Sequence, residues 1–334
     1  MEYAMLPLAF ACVILAGFEV LARLVVPVMG NVLTRTMQDK SRRSVPVQSS
    51  HHDKFDAVDW LCITFSRCIT VPFVYHLLVY CCVSPCVLWP GGAGGNNDNF
   101  PQNMPAALFT ADGFVDANAA IVEFLAENVI AGNATKVVTA GATKTAWDAN
   151  LGKTTSAIVH YAVSVILMYV TYDFFYYWFH RTLHLRSLYK FVHKHHHRQH
   201  APTRGNLDAI NVHPFEFICG EYNHLLAVSL VGNGMRAAGL GGVPIGAILT
   251  FVVLGGALAS LNHTRFNVRF GAFSRLYSFA HPKKGGATPA YEVAAHDVHH
   301  RLPTKNYGQY LMIYDMMFGS YERLVDKTSS SKSM

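Results

Sequence analysis

The sequence predicts an all-α integral membrane protein of four or five membrane helical segments. Three observations carry that expectation. Only 14% of the 334 residues are Asp, Glu, Lys or Arg, while 51% are hydrophobic; a soluble domain carries roughly 25% charged residues. Several apolar runs reach the ~20 residues a helix needs to cross hydrocarbon. Fourteen of the 18 histidines fall between His180 and His300, so the polar chemistry is concentrated in one part of the chain. This composition excludes a disordered or fibrous chain. The net charge of +6 is mild for the length, and no basic run alternates with aromatics, so no nucleic-acid partner is expected. The seven cysteines are odd in number and form no Cys-x-x-Cys pair. They read as small buried hydrophobes, not as a disulfide scaffold or a zinc finger.

The elements follow in chain order. Residues 5–29 form the first apolar stretch, in which Glu19 and Arg23 are spaced to pair on one helix face. A retained anchor is expected here, because Met1-Glu2-Tyr3 lacks the positive start of a cleaved signal peptide. Residues 60–83 form a second span, with Arg67 and His76 inside it. Residues 157–179 form the third, ending in Tyr and Trp as at a headgroup boundary. From His224 to Leu261 the chain is again apolar, and its Gly-rich middle, Gly232 to Gly246, suggests a helical hairpin, either re-entrant or two full spans. The expected organisation is therefore N-terminal membrane anchor helices over 1–90, a lumenal insert loop over 91–156, a catalytic domain over 157–325 and a disordered tail over 326–334. The insert opens Gly-Gly-Ala-Gly-Gly-Asn-Asn-Asp-Asn, and a short helix is expected near 114–130.

Loop charge sets the orientation. Lys and Arg number five in 31–59, three in 84–156, six in 180–223 and ten in 262–334. Loop 31–59, the His-rich stretch and the C-terminus are thus expected in the cytosol, and 84–156 on the far side. The sequon Asn133-Ala134-Thr135 lies on that far side.

Three histidine boxes stand out. His180-Arg-Thr-Leu-His184 is H-x3-H; His193-Lys-His-His196-His197 and His296-Asp-Val-His299-His300 each contain H-x2-H-H. Residues at i, i+3 and i+4 of a helix share a face, so each box is expected to project its imidazoles together. One metal ion takes about three or four protein nitrogens. Eight imidazoles therefore suit a dinuclear site in a cytosolic helical cap. Imidazole-rich sites favour iron, zinc, copper or nickel over magnesium or calcium. The middle box has a second register, His196/His197/His200; His193/His196/His197 is preferred because it repeats the spacing of the third box, and it leaves His195 and His200 as candidate outer groups. His51, His52, His76 and His160 are expected to be ordinary surface or core residues.

These boxes and their flanks resemble the fatty acid hydroxylase superfamily, which includes sterol desaturases, C4-methylsterol oxidases, cholesterol 25-hydroxylase and sphingolipid hydroxylases. The likeness extends to Leu188–Lys194, Pro202, His213-Pro214-Phe215-Glu216, Asn262-His263-Thr264, Asn306-Tyr307-Gly308 and Asp315–Tyr321, and covers about residues 157–323. It implies a membrane-bound non-haem di-iron oxidase using O2 to hydroxylate or desaturate a C–H bond of a lipid, with a sterol or related lipid first. It implies an endoplasmic-reticulum location and a place in lipid metabolism such as sterol biosynthesis. Carried over residue by residue, the ligands are His180, His184, His193, His196, His197, His296, His299 and His300, with His263 a ninth and His213 a further candidate. His224 is open between ligation and a capping or snorkelling role. Asp297 is expected to hydrogen-bond a ligand imidazole. Asp173 is expected to orient His180 or line the substrate path, with Glu216 and Asp208 as weaker supports. Asn306 and Tyr307 are expected to hold the C-terminal turn.

The implied cofactors are two iron ions, with zinc possible after purification, and O2 as co-substrate. No flavin, nicotinamide or fused haem motif occurs, so electrons need an external donor; the resemblance implies cytochrome b5 or its reductase. Arg181, Arg186, Lys190, Lys194 and Lys283-Lys284 are candidate docking cations for such an acidic partner. The alternatives are a fatty acid or sphingolipid hydroxylase of the same family and, from another class, a His-rich membrane metal transporter or an inactive lipid-binding scaffold. A zinc hydrolase is disfavoured, since the boxes lack the Glu of His-Glu-x-x-His. Which lipid is used, hydroxylation against desaturation, the role of the insert and the oligomeric state are not legible in the sequence.

Overall fold

A computed structural model describes residues 2–35, 45, 54–88, 144–271 and 289–324. The expected helix near 114–130, the sequon at Asn133, Lys283-Lys284 and the tail lie outside the described residues. The first helix runs as α1 (Glu2–Val20), a π-helical turn (Leu21–Val25) and α2 (Val26–Arg35). Pro27 explains the π turn, because proline has no N–H to donate to the preceding turn and its ring crowds the carbonyl there. Helix α3 (Ala57–Val83) begins with a capping box: the Asp56 side chain accepts from Val58 and Asp59 N–H, and the Asp59 side chain accepts from Asp56 N–H. Pro72 sits inside α3 without ending it, as membrane helices allow.

Helix α4 (Lys144–Leu183) carries the third span and starts well before it, inside the stretch expected to be an insert loop. The hairpin is α5 (Pro214–Ala237) and α6 (Ile245–Asn262). At its tip Gly239, Gly241 and Gly242 have positive φ, and a Cβ on Gly242 would meet the Cys86 carbonyl oxygen at 2.2 Å. That close approach lets Val243 N–H donate to Cys86 at 2.8 Å. It pairs β1 (Val87–Leu88) in parallel with β2 (Val243–Pro244) and so ties the end of α3 to the hairpin. A second pair, β3 (Arg269–Phe270) against β4 (Tyr291–Glu292), leads into α7 (Val293–Arg301); α8 (Ile313–Met317) follows.

Four helical stretches are long and apolar enough to cross a membrane: Ala9–Arg35, Ala57–Val83, Thr155–Leu183 and Ile245–Asn262. Almost none of the first is buried, whereas α6 is more than half buried, so α6 is the central helix. Val13, Leu24, Val28, Leu61, Ile158, Ile166 and Val253 are exposed, which in lipid costs nothing. Helix α4 packs along α5 and α6, with α3 against α5 and α1 against α3. Their shared core holds Phe73, Met168, Ile248, Phe251 and Leu261. Along α4 the buried residues Tyr169, Asp173, Tyr177 and His180 recur every three or four positions. One face of a span thereby delivers its last turns to the histidine site.

Candidate metal centre

The structure gathers nine histidines into two groups: His180, His184, His193, His197 and His299 in one, and His196, His263, His296 and His300 in the other. In each group the candidate ligand atoms all lie within 4.8 Å of one another. The rings converge by their Nε2 atoms. In the first group His193 Nε2 is 3.0 Å from His180 Nε2 and 3.0 Å from His197 Nε2, and His184 Nε2 is 3.2 Å from His299 Nε2. In the second group His296 Nε2 is 3.1 Å from His263 and 3.1 Å from His300, and His263 is 3.4 Å from His196. The groups adjoin, with ring centroids 4.9 Å apart for His197 and His300 and 5.7 Å for His193 and His196.

The first box stays whole, but the middle and third boxes are each divided between the groups, which corrects the expectation that their histidines project together. The i,i+4 pairs His180/His184, His193/His197 and His296/His300 stay together, while His196 and His299, at i+3, cross over. Successive helical residues are separated by about 100°, so i+3 and i+4 fall on opposite flanks of residue i and can face different ions. The middle box is not an α-helix at all. It is a π-helical turn, Tyr189–His193, followed by a 3-10 turn, His196–Arg198.

The ring tautomers are set by partners that can only accept. His180 Nδ1 donates to the Tyr307 carbonyl at 2.8 Å, His299 Nδ1 to Lys305 at 2.6 Å, and His263 Nδ1 to Ala259 at 2.9 Å. The Glu216 carboxylate lies 2.8 Å from His193 Nδ1 and favours a proton there. A neutral imidazole carries one N–H, so these four rings present lone pairs at Nε2. His180 and His193 then aim two lone pairs at each other across 3.0 Å, which is repulsive without a cation. Metal–nitrogen bonds of about 2.0–2.1 Å place neighbouring ligand nitrogens about 3 Å apart. The donor set therefore fits two metal ions. Burial first, and neighbouring imidazoles second, hold His193, His197, His296, His299 and His300 well below the ordinary histidine range. His196 is held well below it by burial and, next, by His263. Neutral rings are what metal ligation requires.

The other expected residues fall elsewhere. His213 stands outside both groups: it is the N-cap of α5, its Nδ1 accepting from Phe215 N–H at 3.2 Å. Asp297, fully buried, touches no ligand ring; it pairs with Arg265 and Arg301 and so braces the back of α7. Asp173 neither orients His180 directly nor lines the cavity described below; it accepts from the N–H groups of Gln309, Tyr310 and Leu311. It thereby holds the segment whose Tyr307 carbonyl orients His180. Asp315 assists by accepting from Tyr307 and Gly308 N–H, each at 2.7 Å. Asp208 caps Thr203 and Arg204 N–H, and its charge bears on His263 without a hydrogen bond to that ring being seen among the described residues. Asn306, at φ 53°, bonds Ala295 and Glu322 and holds the closing turn. His224 contacts Tyr310 and lies outside both groups, and His200 is exposed.

Asp59 was not singled out by sequence. This buried α3 residue accepts from Asn211 at 3.0 Å and lies 3.2 Å from His195 and 3.5 Å from Arg198. It anchors the middle box to the N-terminal helices. Only its place in an Asp-x-x-Asp helix start was visible in the sequence. A cavity of about 310 Å³ adjoins the site on the membrane side, bordered by Phe18, Tyr172, Tyr176, Glu216, Phe217 and Ala259. Glu216 reaches His193, and the Ala259 carbonyl holds His263, so the cavity wall touches partners of both groups.

Two adjoining polyhistidine groups suited to metal ions, at the foot of a membrane helix bundle, define a class of membrane protein. The comparisons agree on which one: residues 165–320 match the fatty acid hydroxylase family, and this segment belongs to the fatty acid hydroxylase superfamily. Among relatives, Delta(7)-sterol 5(6)-desaturase erg3C of Aspergillus fumigatus is 31% identical over 48% of this chain and 48% of its own length. Lathosterol oxidase of Rattus norvegicus is 29% identical over 52% and 50%. Protein CER1-like 1 of Arabidopsis thaliana is 30% identical over 46% and 22%. The chain thus matches half or less of the length of these three relatives. No solved structure gives a significant match.

Proposed function

We propose that the chain is a membrane-bound non-haem di-iron oxidase that uses O2 to hydroxylate or desaturate a C–H bond of a lipid, a sterol or related lipid foremost. The observation that carries this reading is the set of inward-aimed imidazole lone pairs beside a largely apolar cavity in the helix bundle. The sterol preference is supported by the desaturase and oxidase names of the relatives. The five-histidine and four-histidine groups would each hold one iron, and two such irons supply O2 activation when bound. The chain's own part is to keep the rings neutral and oriented, to exclude water with Tyr172, Tyr176 and Phe217, and to present the lipid carbon to the site. Glu216 keeps the proton of His193 on Nδ1, leaving Nε2 free to ligate.

An endoplasmic-reticulum membrane with the boxes on the cytosolic side is supported by the loop charge and by the exposure of Arg181, Arg186, Lys190 and Lys194. Those cations would receive cytochrome b5 or its reductase, the external electron donor this chemistry needs. The test is the metal content of detergent-purified protein, wild type beside His296→Ala/His299→Ala, which removes one ligand from each group. About two iron or zinc per chain, lost in the variant, with lipid products gaining an oxygen or losing two hydrogens, supports the oxidase. A fatty acid or sphingolipid product would move the substrate within the family. Metal uptake into vesicles without lipid oxidation would point to a transporter, and a folded metal-free wild type to a scaffold.

A further inference from the structure

The cavity beside the metal centre is not uniformly apolar. Glu216, Gly220, Glu221 and His224 line it from one side of α5, and Glu19 and Arg67 line it from α1 and α3. Glu19 is paired with Arg67 and with Arg23, so this end is internally neutralised. Glu221 is different. Among the described residues its carboxylate has no hydrogen-bond donor or ion-pair partner, and the nearby His224 and Tyr172 donors are committed elsewhere. His224 Nδ1 donates to the Glu221 carbonyl at 3.2 Å, leaving Nε2 to accept from the Tyr310 hydroxyl at 3.1 Å. The Tyr172 hydroxyl donates to the Gly220 carbonyl at 3.3 Å. A carboxyl group in a lipid-side cavity with no donor is costly unless a ligand supplies one.

We infer that Glu221 is a specificity-determining residue of the lipid cavity: it accepts a hydrogen bond from the hydroxyl of a neutral lipid alcohol and disfavours lipids with a carboxylate head. This rests on the lipid-oxidase reading and narrows it. Charge supports the exclusion. Three carboxyl side chains, Glu19, Glu216 and Glu221, line the cavity against the single guanidinium of Arg67, and that guanidinium is already paired. An incoming carboxylate would find repulsion and no free cation, whereas a hydroxyl finds an acceptor. Position supports the binding. Glu221 lies five residues beyond Glu216 on α5, about 7.5 Å along the helix axis, and Glu216 reaches the ligand His193. A hydroxyl held at Glu221 sets the carbons nearest the polar head, not the far tail, beside the metal centre.

The experiment measures equilibrium binding of radiolabelled cholesterol and palmitic acid to the purified full chain in detergent, with metal content measured on the same samples. Wild type should bind cholesterol at least about tenfold more tightly than palmitate. Glu221→Leu should lose about tenfold or more in cholesterol binding, the scale of one hydrogen bond to a charged group, at unchanged metal content. Glu221→Lys should gain palmitate binding relative to wild type. Equal binding of both lipids by wild type, or full cholesterol binding by a metal-loaded Glu221→Leu, would overturn the inference. Loss of metal from wild type would instead strike the oxidase reading, and the binding ratio would still judge Glu221.

Discussion

Among the described residues, Glu216 is the one side chain whose carboxyl group is seen against the outer nitrogen of a candidate ligand imidazole, 2.8 Å from His193 Nδ1; the partners of His180, His263 and His299 are backbone carbonyls that mutation cannot remove. Replacing Glu216 with Ala leaves His193 free to turn or to put its proton on Nε2, where it cannot ligate. Loss of such an outer partner costs about 10–100-fold in metal affinity, or about 1.4–2.7 kcal/mol. The loss should be confined to the five-histidine group, because His193 belongs to that group alone. Gln at this position keeps an acceptor for Nδ1–H but loses the charge. Charged hydrogen bonds contribute about 1.5–3 kcal/mol against about 0.5–1.5 for neutral ones, so Glu216→Gln should lose roughly tenfold or less. The assay is competitive metal loading against a graded chelator, read as metal per chain by mass spectrometry. Wild type should release its ions together over a narrow chelator range, whereas Glu216→Ala should release about half its metal first. The metal-free variant should be no less stable than metal-free wild type, because a buried carboxylate has been removed. Loss of both ions at once, or of neither, would refute the division of the boxes into two sites.

Three further outcomes follow from the supporting contacts. Asp173→Ala strips the acceptor from three backbone N–H groups, and at about 1–3 kcal/mol for each unsatisfied donor it should lower the melting temperature sharply and abolish metal retention. Gly242→Ala sets a Cβ 2.2 Å from the Cys86 oxygen at a φ of +142°, whereas Gly239→Ala meets nothing within 4 Å; thermal unfolding should show the first variant as the more destabilised. The histidine pKa values lowered by burial make the metal-free protein sensitive to acid. The unfolded chain takes up protons at these rings below about pH 6.5 while the folded chain does not, so stability rises with pH through that window. Chemical denaturation of metal-free protein should give a lower unfolding midpoint at pH 5 than at pH 7, and a flat profile would contradict the buried neutral rings.

Much of this molecule is determined by local pattern. The apolar runs identify three of the spans and the hairpin, because bilayer thickness and backbone hydrogen bonding leave a long apolar segment few options other than a helix. Box spacing identifies which histidines matter, because i,i+4 imidazoles on one helix share a face; the pairs 180/184 and 296/300 each stay in one group for that reason, and 193/197 does so across a π turn and a 3-10 turn. Spacing could not say which ion each ring faces. His196 and His299 cross to the other partners only because α4, α6, α7 and the π turn before the middle box meet at particular angles. The second partners were equally hidden. Asp297 beside three histidines suggests an imidazole partner, yet two arginines, one of them distant in sequence, claim it. His213 resembles a ligand by type, but the Pro214 that follows starts a helix and turns its ring into a cap. The orienting carbonyls of Tyr307, Lys305 and Ala259 leave no mark in side-chain identity. Asp59 reaches the middle box across more than a hundred residues. Local chemistry determines which residues can ligate; the packing of distant helices decides where each lone pair points.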